Sequence, residues 1–163
     1  HIDMSHLSRL AEKHNAVIYI VALPGQFIYN ALSIAYVTGV SEPEVLTRIR
    51  KGFITGTERS FRQDPRFGIT VLREIASRAL SPAVNDGGTA VQVIGTAVRI
   101  LFLWAKRHEL AQPGKAILYP RLHVPPLRID DLFNDFFPPL ARDAANKVEV
   151  HVCLQKAYTA FAS

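Results

Sequence analysis

The sequence predicts an α+β fold, mainly helical, in which a small N-terminal β unit (a barrel-sandwich-like half) is followed by a helical body. Three observations predict it. Residues 16–23 form a continuous apolar run rich in Val and Ile, of a length that suits a buried strand. Phe67, Val71, Leu72, Ile75, Ala79 and Leu80 recur at helical spacing. Val91, Ile94, Val98, Leu101 and Ala105 do the same further on.

The elements follow in order. Residues 5–13 carry a short helical pattern, with Leu7 and Leu10 on one side. After the first strand, Pro24-Gly25 makes a turn, because Pro fixes φ and Gly accepts a positive one. Residues 26–37 then read as one or two strands. Ser41-Glu42-Pro43-Glu44 opens a helix, with Ser41 as its cap and Gly52 as its stop. Asp64-Pro65 marks a second start or a kink, and Ser81-Pro82 ends the helix over 67–80. Asn85-Asp86 can cap the next helix, which Gln112-Pro113-Gly114 breaks. Its apolar stretch, 89–105, falls short of the roughly 20 residues a bilayer needs and reads as a buried core helix. Residues 116–124 suggest a strand. Asp130 is a candidate cap for a short helix that Pro138-Pro139 should stop. Residues 148–154 alternate like a strand, but the Ala-rich surroundings favour helix.

Composition bounds the function. At 163 residues the chain is the size of one domain, and 48% hydrophobic residues suffice for a core. Nineteen Lys+Arg against fourteen Asp+Glu give a net charge of +5, which favours anionic partners. The basic residues are scattered singly, which argues against nucleic acid. Cys153 is the sole cysteine, so an intramolecular disulfide is impossible. His1-Ile2-Asp3 looks like a vector remnant from tag removal. The expected organisation is that remnant over 1–3, then one soluble domain over 4–163, with the β unit at about 15–38 and the helical body from about 41.

Two segments carry candidate chemistry. If one helix ran through Pro65, Arg59, Arg62, Arg66 and Arg73 would share a face able to meet phosphates; otherwise it is a solvated face with ordinary ion pairs. The loop Ser81-Pro82-Ala83-Val84-Asn85-Asp86-Gly87-Gly88-Thr89 leaves backbone N–H groups open at a helix start, which suits an anion; the plainer reading is an N-cap followed by turn glycines. The expected ligand-binding set is Arg59, Arg62, Asp64, Arg78, Ser81, Asn85, Asp86, Gly87, Gly88 and Thr89. No catalytic residue, metal ligand or cofactor is assigned: the chain has no CxxC, HExxH, Walker or GxSxG pattern.

Residues 24–37, PGQFIYNALSIAYV, are similar to half of a biotinyl/lipoyl-type barrel. No modifiable lysine sits in a hairpin there, since the nearby one is Lys13, so a swinging-arm role is not expected.

The block ERSFRQDPRFGITVLREIASRALSPAVND, residues 58–86, is long and specific. With PGQFIYNALSIAYV before it and Thr89-Ala90 after it, the chain resembles the C-terminal soluble region of a bacterial family of predicted membrane proteins, domain-of-unknown-function 2254. The family pattern maps onto Arg59, Gln63, Asp64, Phe67, Gly68, Arg78, Ser81, Pro82, Asn85, Asp86, Thr89 and Ala90. Ser60 stands where the family has Thr, and Gly87 where it has Pro.

The resemblance implies a parent with N-terminal transmembrane helices in the inner membrane, this domain lying on the cytoplasmic side. The expected role is a sensory, regulatory or assembly module that binds an anionic ligand or lipid headgroup. Its expected partners are the parent's transmembrane region and further copies of itself in a homo-oligomer. Two alternatives stand beside it: a hydrolase-like enzyme using Asp64, Glu74 and Asp86, and a purely structural oligomerisation domain of a channel- or transporter-like protein.

Overall fold

The computed structural model describes residues 1–109 and 117–162. In chain order the elements are α1 (Met4–Lys13), β1 (Val17–Ile20), β2 (Ala35–Thr38), α2 (Pro43–Arg50), α3 (Pro65–Ala79), α4 (Gly87–Glu109), β3 (Leu122–His123), α5 (Ile129–Asp143) and α6 (Val148–Ala162). The mainly helical α+β class holds. The chain forms two compact units, residues 1–64 with 117–126, and residues 65–109 with 127–162. The expected break near residue 41 is therefore not where the units divide: α2 belongs with the sheet.

In the first unit, β1 is the central strand of a sheet ordered β2-β1-β3. It pairs antiparallel with β2, from Val17 opposite Thr38 to Ile20 opposite Ala35. It pairs parallel with β3, Ile18 opposite Leu122 and Tyr19 opposite His123. Side chains alternate along β1, so Ile18 and Ile20 are buried while Tyr19 is exposed and stacks on His123 at 4.7 Å. Leu7, Leu10 and Ala11 of α1 and Val45 and Ile49 of α2 complete this core.

Several expectations change here. Of residues 26–37, only 35–37 enter a strand; 26–34 are turns and irregular chain. The strand expected over 116–124 shrinks to Leu122–His123, residue 116 lying outside the described residues, as does the expected break at 112–114. The sheet's third strand thus comes from far along the chain, not from a local barrel half. Ser41 does not cap α2. Glu42 holds that position without a side-chain cap, and Pro43 at the helix start supplies the preset φ.

Residues 1–3, expected as a remnant, take part in the fold. Ile2 is buried and bridges to Phe53. Its N–H donates to Gln63 Oε1 at 2.7 Å, and its carbonyl accepts from Gln63 Nε2 at 2.9 Å. Asp3 caps α1 by accepting from the His6 N–H at 2.9 Å.

The second unit is a helical bundle. α3 packs against α4 and α5, and α4 packs against α5 and α6. Ile69, Ala76, Ala90, Ile94, Ala97, Leu101, Phe136, Phe137, Leu140 and Leu154 are all buried in its core. α4 is longer than the expected apolar stretch, since Gly87–Arg107 has the length and composition to cross a membrane. Its stripe of Ala90, Val93, Ile94, Ala97 and Leu101 packs on the other helices of this unit, but only 22% of the apolar window is buried, so α4 is not the expected buried core helix.

α5 overturns two expectations. It runs through Pro138 and Pro139 to Asp143, and Arg128, not Asp130, holds its N-cap. The two prolines donate nothing to the carbonyls of Asn134 and Asp135, a real cost for an isolated helix. Complete burial of Phe136, Phe137 and Leu140 around them offsets it. Residues 148–154 are helical, as the Ala-rich context suggested. Helix and strand periods both bring Val150 and Leu154 to one side, so alternation there could not distinguish them.

Candidate functional site

α3 begins at Pro65, so the arginine stripe does not form. Arg59 and Arg62 precede the helix in the first unit. Asp64, only 4% exposed, accepts from Arg59 Nε at 2.8 Å and lies 2.7 Å from Arg59 Nη2. A buried carboxylate needs such a partner. Gly25 lies against this pair with φ +83°, and a Cβ there would fall 1.8 Å from Asp64 Oδ2. Arg62 is exposed in the turn beside them.

The other two arginines are engaged within the second unit. Arg66 grips Asp135 of α5 bidentately, Nε at 2.6 Å and Nη2 at 2.7 Å. Arg73 pairs with its neighbour Glu74 at 3.5 Å. Arg78 is exposed in the last turn of α3.

The loop from Ser81 to Thr89 makes the corner between α3 and α4. The Ser81 carbonyl accepts from the N–H groups of Val84 at 3.1 Å and Asn85 at 2.8 Å. The Asp86 N–H donates to the Ala79 carbonyl at 2.7 Å, which closes the end of α3. Asn85 takes φ +55°, a backbone region Asn tolerates. Its Oδ1 accepts from Lys147 Nζ. Asp86 caps α4: Oδ1 accepts from the Thr89 N–H at 2.9 Å and Oδ2 from Thr89 Oγ1 at 2.6 Å. The Thr89 hydroxyl, then the Thr89 N–H, hold the Asp86 carboxyl below the usual carboxylate range.

Glu149 of α6 stands at the same helix start. A Cβ at Gly87 would lie 2.5 Å from Glu149 Oε1. Two carboxylates of the chain itself therefore meet the positive end of α4, where an added anion would have to lie. Gly87 is what permits this approach. Ser77 Oγ adds a bond to Asp143 Oδ2 at 2.6 Å, tying α3 to α5.

The structure thus brings Arg59 together with Asp64, and Asn85, Asp86, Gly87 and Thr89 together at the corner. Lys147, Glu149, Asp135 and Asp143 were not singled out from the sequence. Each lies more than fifty residues from the group it serves, and no local spacing signals such a pairing. Of the carboxylates considered for hydrolysis, Asp64 holds Arg59, Glu74 faces Arg73 and Asp86 caps α4. Among the described residues no group of three His, Cys, Asp or Glu is placed to hold a metal ion. An open groove of about 720 Å³ runs along α6, lined by Val148, His151, Val152 and Lys156, with none of the expected site residues in it.

The family described as a predicted membrane protein, DUF2254, matches residues 1–160. The chain belongs to this family. The match begins at residue 1, within the segment that carries the Ile2 contacts. Among similar proteins are the uncharacterized protein Rv1290c of Mycobacterium tuberculosis and the uncharacterized protein Mb1321c of Mycobacterium bovis. Each is 56% identical over 39 residues, which is 24% of this chain and 8% of the relative. The matched stretch is thus a small part of much longer proteins. No solved structure matches.

Proposed function

We propose that this DUF2254 chain is a non-catalytic assembly module on the cytoplasmic side of a membrane protein. In this reading the 58–90 motif fixes helix geometry and binds no ligand. The observation that carries it is the α3–α4 corner, where Asp86 is spent on capping α4 and Asn85 on Lys147, just before α6. An anion at that helix start would meet Asp86 and Glu149, both of its own sign. The single cysteine suits a reducing compartment.

Thermal melting tests the reading. Inorganic phosphate at millimolar concentration should leave the melting temperature unchanged. Asp86→Ala should lower it by roughly 2–4 °C through loss of the cap. A depressed carboxyl pKa contributes stability above its unfolded value and loses it as pH falls through the folded one. The gap between wild type and Asp86→Ala should therefore narrow in acid, below the usual carboxylate range. A phosphate-induced rise that Asp86→Ala abolishes would overturn the proposal in favour of an anion site.

A further inference from the structure

The outer face of α4 is built unlike the corner at its start. From Gly87 to Arg107 the helix contains no acidic residue, while Arg99, Lys106 and Arg107 are all exposed in its second half. At 100° per residue these three share one face with Ile100 and Leu103, opposite the buried stripe of Ala90, Ile94, Ala97 and Leu101. Leu103 is 62% and Ile100 41% exposed, and Phe102 on the flank is exposed and stacked on Phe161 at 4.8 Å. None of the three cations is in an ion pair among the described residues; Arg99 donates only to Thr96 Oγ1, at 3.0 Å. By contrast, Arg59, Arg66 and Arg73 have carboxylate partners and Lys147 an amide one.

We propose that this face of α4 lies against an anionic lipid bilayer surface, Leu103 and Ile100 entering the headgroup boundary and Arg99, Lys106 and Arg107 meeting lipid phosphates. Aliphatic side chains ringed by long basic ones have the chemistry of an interfacial helix: the apolar groups leave water while the cationic heads stay at the charged surface. Charge selects the occupant. Three cations with no ion-pair partner among the described residues oppose a second copy of this face, and they match a leaflet carrying anionic headgroups. Membership of a family of predicted membrane proteins puts such a surface within reach. The inference is independent of the capping role of the α3–α4 corner, so the phosphate and Asp86 melting experiment does not decide it.

Co-sedimentation of the 163-residue chain with vesicles is the test. The chain should pellet with phosphatidylcholine vesicles containing roughly a third phosphatidylglycerol, not with phosphatidylcholine alone, and less as salt rises. Replacing Arg99, Lys106 and Arg107 by Gln should weaken partitioning about fivefold per charge, on the order of a hundredfold together. Leu103→Gln should weaken it at unchanged net charge. Equal binding to neutral vesicles or undiminished binding of the triple variant would each overturn the proposal. So would a dimer in lipid-free solution that Leu103→Gln dissociates, which would assign the face to a second copy.

Discussion

Gly25 is where a single missing Cβ decides most. Its φ of +83° lies in the left-handed region, and the space a methyl would fill is taken by the Asp64 carboxylate in its pair with Arg59. Gly25→Ala should cost roughly 1–2 kcal/mol for the backbone alone, with more from displacing a buried carboxylate. The chain should melt several degrees lower, and an unchanged melting curve would refute this account of the turn. The Pro24-Gly25 turn was legible in the sequence because its chemistry is local. Its partner was not, since thirty-nine positions separate Gly25 from Asp64. The same holds at Gly87, where the sequence shows glycines before a helix but not the Glu149 carboxylate that needs one of them.

Among the elements, α5 shows packing overruling propensity. Two adjacent prolines inside a helix remove two backbone donors. What holds the helix is an aromatic cluster in which Phe137 meets Phe133 at 4.6 Å, Phe136 at 5.0 Å and Tyr158 at 5.6 Å. Phe137→Ala should therefore lower unfolding stability by about 3–5 kcal/mol, the range for emptying an aromatic site in a core. It should also reduce helical circular dichroism, because α5 loses the burial that offsets its prolines. A fully helical, near-native variant would show that the prolines cost less than argued. In α6, Val148 and Val152 are 75% and 49% exposed while Val150 and Leu154 are buried, a split that only the helical period produces, since a strand would put all four on one face.

At the scale of the whole molecule, the described residues form two hydrophobic clusters where 163 residues suggest one core. No covalent link reinforces either, because Cys153 is the only cysteine. Burial pushes its thiol pKa up, against a smaller opposing effect of Lys156. Reductant should therefore leave the melting temperature unchanged, and Cys153 should react slowly with thiol-directed reagents at neutral pH. Rapid labelling in the folded state would contradict the half-buried position of this side chain.

The sequence by itself determined the fold class, the α3 and α4 helices and the family, because these rest on periodicity, capping signals and one long motif that are local along the chain. It also marked Asn85-Asp86 as the capping pair, of which the structure uses Asp86, since an N-cap bonds within three residues. Only the tertiary structure decided that β1 takes a neighbour from Leu122–His123, that α5 continues through its prolines, and that Arg66 belongs to Asp135 and Asn85 to Lys147. Those contacts join positions far apart in sequence. Their energy comes from burial and charge pairing, which exist only once the chain has folded.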